Sequence, residues 1–282
     1  MYNDIVFKLG EFSLEAMIYE VSSFPSFGLV SPISSGSHKD MDYFTFVDSS
    51  STLYRYFLEM ANVGYSNKSS KEIFNDIRNI GKKAEEAMFL KTNKVNTHKG
   101  MIFVLGLVIT ATSNILYNKR NFNDISDLIK KMTFGMVDNE LKNLQTKDSL
   151  THGEKIFLEY GISGVRGEAE SGFSIVFDYA LGVYDELENL QINQRLTHTL
   201  LSIMSRCDDT TILHRHDYST LLTLQKKAKE IIDLGGLNNQ NTYSHLKNLN
   251  SYNEQYNISP GGCADLLALT VFLSKVKKEF FS

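Results

Sequence analysis

The sequence predicts an all-α protein: one compact multi-helical domain, residues 1–282, built from roughly ten helices around one core. Three observations lead there. Only three prolines occur, Pro25, Pro32 and Pro260, so residues 33–259 lack the strongest helix breaker. Apolar residues recur at steps of three and four along most of the chain. Neither strand alternation nor a hairpin dipeptide competes with that period.

The first helix is predicted over 4–21, followed by the irregular stretch "SSFPSFGLVSPISSGS" at 22–37. Long loops inside compact domains are often functional, so this segment is a candidate site element. A helix over 51–63 comes next. Residues 72–91 carry the clearest stripe, Ile73, Ile77, Ile80, Ala84 and Met88, with Lys82 and Glu86 on the opposite face. Residues 101–117, "MIFVLGLVITATSNILY", come nearest to a membrane span, but Gly106, Thr110, Thr112, Ser113 and Asn114 make a buried core helix the better reading. Further helices are predicted over 124–144, 154–161, 173–190, 193–206 and 217–233. "SLTHGE" offers Thr151 as an N-cap with Glu154 three residues on, a capping-box pattern. The Asn- and Tyr-rich stretch 235–257 reads as a surface connection, and "SPGG" as the turn before a terminal core helix over 262–281.

With 42% hydrophobic and 22% charged residues the chain has the composition of a folded protein. A net charge of -4 provides no global basic field for nucleic acid or an anionic membrane, so neither is an expected partner. Cys207 and Cys263 are too few for a disulfide framework. "MYNDIVFKLGEF" lacks the basic start and apolar run of a secretory signal, and a cytoplasmic location is expected. A homo-oligomer is left open, because apolar helix stripes look alike whichever chain covers them.

Polar side chains gather at predicted helix ends. In "GSHKDMD", Asp40 and Asp42 suit a hard cation while His38 and Lys39 suit phosphate oxygens; a capped loop-to-helix junction is the competing reading. Glu85 lies at the edge of its helix stripe, placed to lean into a site. In "NTHKG", Asn96, His98 and Lys99 stand where a helix would present free N–H groups to an anion, although Asn96 and Thr97 also read as an N-cap pair. "RGEAE" sets Arg166 before Glu168 and Glu170, as a phosphate fork beside metal ligands or as an internal ion pair. "DDTTILHR" adds Asp209 and Arg215, and "SPGGCAD" adds Asp265.

Taken in order, "GLVSPISSGSHKDMDYFTF", "AEEAMFLKTNKVNTHKGMIFVLGL", "THGEKIFLEYGISGVRGEAESGF", "DDTTILHR" and "SPGGCADLLALTVFL" resemble the triphosphoribosyl-dephospho-coenzyme A synthase family over almost the whole chain. The resemblance implies an all-helical enzyme that joins ATP to 3'-dephospho-coenzyme A, releasing adenine and leaving triphosphoribose on the acceptor's ribose 2'-hydroxyl. It also implies magnesium, and a product passed to a carrier-protein transferase in the prosthetic-group pathway of citrate lyase or malonate decarboxylase. On that reading Asp40, Glu85, His98 and Glu168 are catalytic candidates. His38, Lys39, Asn96, Lys99, Arg166 and Arg215 would bind the nucleotide, and Asp40, Asp42, Glu85 and Glu168 the metal, with Glu170 and Asp265 as outer candidates. The chain departs from the family at Ser26, Phe27 and Ser31, where many members carry Lys-Pro and Asp, and at Cys263, where serine is usual. A magnesium-dependent helical hydrolase of nucleotides or ADP-ribose conjugates, and a non-catalytic nucleotide-binding homologue, are the alternatives.

Overall fold

The computed structural model describes residues 3–141, 144 and 149–282. Among the described residues there is no strand, only an isolated bridge between Ser31 and Ser34. Four long helices come first: α1 (Asp4–Val21), α2 (Tyr43–Gly64), α3 (Ser70–Lys91) and α4 (Lys99–Tyr117). Shorter ones follow: α5 (Asp124–Thr133), α6 (Met136–Leu141), α7 (His152–Tyr160), α8 (Val165–Glu170) and α9 (Leu181–Glu186). The chain closes with α10 (Ile192–Met204), α11 (Thr210–Arg215), α12 (Tyr218–Asp233), α13 (Tyr243–Gln255) and α14 (Gly261–Phe280).

The apolar helix α4 is the axis of the core, packed by α1, α2, α3, α5 and α14. It is long and apolar enough to cross a membrane, yet 78% of that window is buried inside the protein. Two of its polar residues bond to α2: Thr110 Oγ1 donates to the Met60 carbonyl (3.2 Å) and Ser113 Oγ to that of Ala61 (2.6 Å). Gly64 of α2 lies directly on the Thr110 carbonyl, a closeness that a Cβ would forbid. These bonds satisfy buried hydroxyls that would otherwise cost stability.

Several sequence expectations are corrected. The second helix starts at Tyr43 rather than at 51, because Asp42 and Thr45 form a capping box whose third-position threonine stands where glutamate is usual. The predicted 124–144 helix breaks at Gly135, whose φ of +74° ends the right-handed run. Its residues 142 and 143 lie outside the described residues. Residues Val176–Ala180 form a π-helical turn within the predicted 173–190 helix.

The 235–257 stretch is no bare connection. It contains α13, which buries Leu246 and Leu249 together with Asn250 and Asn253. The asparagines clamp the 22–37 loop: the Phe27 N–H donates to Asn250 Oδ1 (2.8 Å), and Asn253 Nδ2 donates to the Phe27 carbonyl (2.7 Å). Asparagine is a weak helix former, so the sequence pattern hid a helix that tertiary hydrogen bonds hold.

Candidate active site

Two cavities meet at the start of α4, sharing Gly100 and Val165 in their walls. The first, about 350 Å³, is acidic: Glu168, Asp208, Asp209 and Asp265 line it, with Arg206 as its cation. The second, about 360 Å³, carries Arg78, Lys82, Lys99 and Arg166 against Glu85 and Glu140, over an apolar floor that includes Phe74 and Phe103. Negative and positive sectors are therefore adjacent but separate.

Local structure explains each placement. Asp209 caps α11 by accepting from the Thr211 N–H (2.8 Å) and ties in α14 by accepting from the Cys263 N–H (2.9 Å). That brings "DDTT" against "SPGG". Gly100 has no side chain because Asp265 Oδ2 occupies the place a Cβ would take. Burial is the main cause that holds the Asp265 carboxyl well above the ordinary carboxylate range, with Glu20 and Asp209 adding repulsion. Burial, then Asp208, pushes Glu168 up to about 7. Glu168 Oε2 is buried without a hydrogen-bond partner. Glu20 of α1, 5% exposed, is raised by burial to about 8. In the second cavity Lys99 pairs with Glu85 (2.5 Å), while Arg166 and Arg78 share Glu140 at 2.7 and 2.9 Å.

The family model for CitG, ATP:dephospho-CoA triphosphoribosyl transferase, matches residues 7–281. The chain belongs to this family. It is 40% identical over 266 residues to the probable 2-(5''-triphosphoribosyl)-3'-dephosphocoenzyme-A synthase of Lactiplantibacillus plantarum, covering 93% of this chain and 94% of that protein. It is 35% identical to the protein of the same name from Streptococcus mutans, with 95% of each chain covered. It is also 40% identical to Protein CitXG of Leuconostoc mesenteroides subsp. cremoris, where 94% of this chain matches 58% of the relative. No solved structure matches.

Within this triphosphoribosyl transferase family member, the structure brings Glu85, Lys99, Arg166, Glu168 and Asp265 to the paired cavities. It does not gather Asp40, Asp42, Glu85 and Glu168 into one metal set: no three His, Cys, Asp or Glu side chains among the described residues form a metal-holding group. Asp42 is exposed and spends its carboxylate on Thr45, accepting from its N–H (2.8 Å) and its hydroxyl (2.7 Å). Replacing Asp42 by Ala should lower the melting temperature by a few degrees and leave any magnesium response intact; a lost response would return it to the site.

His98 lines neither cavity. It is 2% exposed, its Nδ1 lies 2.8 Å from Ser49 Oγ, and burial pushes its pKa down to about 3. A neutral imidazole locked between α2 and α4 is a poor proton relay. Asn96 Oδ1 caps α4 at the Lys99 N–H (3.2 Å), and Glu170 lies outside both walls. His38, Asp40 and Arg215 form their own cluster: His38 Nδ1 is 3.5 Å from Arg215 and 4.0 Å from Asp40, and its Nε2 is 2.9 Å from Ser259 Oγ. Arg215 ends the helix that Asp209 starts, about 6 Å along it from Thr211 in the wall of the acidic cavity. Lys39 is exposed beside that cluster. Ser26, Phe27 and Ser31 are all buried in the clamped loop.

Sequence reading missed Asp208, Arg78, Glu140 and Glu20. Only Glu20 left a signal: a carboxylate three residues after Met17, on the stripe of Val6, Leu9, Ala16 and Met17.

Proposed function

We propose that this chain transfers the triphosphoribosyl group of ATP to the ribose 2'-hydroxyl of 3'-dephospho-coenzyme A, releasing adenine. The product is the prosthetic-group precursor of the citrate lyase acyl carrier protein, passed on by a carrier-protein transferase in the cytoplasm. The observation that carries the reading is the contact of an acidic cavity with a cation-rimmed one across Gly100 and Val165, in a chain of this family. Breaking the bond from adenine to C1' builds positive charge on the sugar, which carboxylates oppose, while phosphates need cations.

Glu168 is the carboxylate that faces the sugar and takes the proton of the attacking 2'-hydroxyl, a task suited to a group titrating near neutrality. Asp265, whose carboxyl burial biases toward its protonated form, donates to the departing adenine. Two carboxyls in unlike surroundings thus divide base and acid work. Direct displacement inverts the configuration at C1'.

The orphaned Glu168 Oε2 and the nearby Asp208 carboxylate fit a hard cation, which needs only one or two carboxylates beside substrate phosphates. Asp208, next to Glu168, would hold magnesium together with the triphosphate. When bound, the ion neutralises phosphate charge. Arg206, the cation of the acidic cavity, would then hold phosphate oxygens of ATP.

Purified protein given ATP, magnesium and dephospho-coenzyme A should release adenine in proportion to acceptor consumed. Release at the same rate without acceptor would instead mark a hydrolase, and no release from folded protein would refute the transfer.

A further inference from the structure

The second cavity has a glycine that packing does not require. Gly81 lies in the interior of α3 and lines the cavity, although glycine weakens helix interiors. A Cβ built there would meet only Met60 Cε at 3.8 Å and Ile102 Cγ2 at 3.9 Å, ordinary contact distances. Gly100, by contrast, is excluded from bearing a side chain by Asp265. What Gly81 preserves is empty space over an apolar floor.

The occupant must use both that floor and the rim. Four cations and two carboxylates leave the rim with two net positive charges, the complement of a bridging pyrophosphate. With the reacting C1' in the acidic cavity, ATP does not satisfy both surfaces, because its triphosphate and its base lie at opposite ends of the ribose. If the triphosphate took the rim, the adenine would point back toward the acidic cavity and the floor would stay uncovered. In dephospho-coenzyme A the pyrophosphate is joined directly to a long, largely apolar arm.

Resting on the transfer reading above, we propose that this second cavity is the acceptor subsite: the rim of Arg78, Lys82, Lys99 and Arg166 takes the pyrophosphate and the floor takes the pantetheine arm. The acidic cavity is left to the ribose of ATP. Gly81 is then a specificity-determining position, open so that the arm can enter.

Gly81→Leu fills the floor, and Gly81→Ala is the mild variant whose added methyl meets no clash. In the adenine-release assay, Gly81→Leu should raise KM for dephospho-coenzyme A at least tenfold with KM for ATP within twofold of the parent, and Gly81→Ala should fall between. 4'-Phosphopantetheine should inhibit competitively against dephospho-coenzyme A but not against ATP. Calorimetry should show 4'-phosphopantetheine binding to the unmodified protein and weaker binding to Gly81→Ala. A rise in KM for ATP instead, unchanged constants in both variants, or no 4'-phosphopantetheine binding would overturn the assignment. The calorimetric arm needs no turnover, so it decides the subsite even if the protein releases no adenine.

Discussion

Glu168→Gln is expected to cut adenine release by about 10²–10⁴-fold, the range set by losing a positioned general base. The amide keeps the volume of the carboxylate and removes a buried charge that Asp208 already repels, so the melting temperature should hold or rise. Comparing steady-state adenine release with thermal unfolding separates the two roles. If activity survives while folding collapses, Glu168 is a structural residue and the acidic cavity is not the reaction chamber.

Glu20→Gln is expected to produce the largest change in stability. In the folded protein Glu20 titrates near 8 instead of the ordinary 4.5, because burial disfavours its charged form. Between these values the unfolded chain has released the proton and the folded chain still holds it, so stability declines as pH rises through that window. Below it both states are protonated and the effect vanishes. At about 1.4 kcal/mol per pH unit, the loss reaches a few kcal/mol by pH 8. Glutamine has no proton to retain, so the variant should match the parent near pH 4.5 and exceed it increasingly toward pH 8. Glu168 and Asp265 shift in the same direction, so the slope will flatten without disappearing. Urea titrations at pH 4.5, 6 and 8 supply the check; identical slopes in parent and variant would show that Glu20 ionises freely in the folded state.

Most of the long helices were legible because their apolar stripes have a local period: α1, α3, α4, α12 and α14 fall within two residues of the predicted ranges, whereas α2 starts eight residues early. α13 was not, because its helix is stabilised by asparagines reaching a loop more than two hundred residues away, which no local window contains. The site divides the same way. Glu85 was singled out from its place at the edge of a helix stripe and Lys99 from its place before a buried helix, and both line the second cavity. Asp42 was misplaced because a carboxylate capping a helix and one binding a cation look identical in sequence, and only the bond to Thr45 separates them. Asp208 and Glu140 went unseen since their importance comes from neighbours brought up by other helices.

The asparagine clamp bears on how the molecule is made. Phe27 is made more than two hundred residues before either side chain that fixes its backbone. Helix α1 likewise waits for α14 to cover it. Helical proteins usually assemble quickly from sequence neighbours, but closure here joins segments more than two hundred residues apart and must await synthesis of α13 and α14. Until then the 22–37 loop is without its anchor, and the growing chain exposes apolar surface of α1 that α14 later covers.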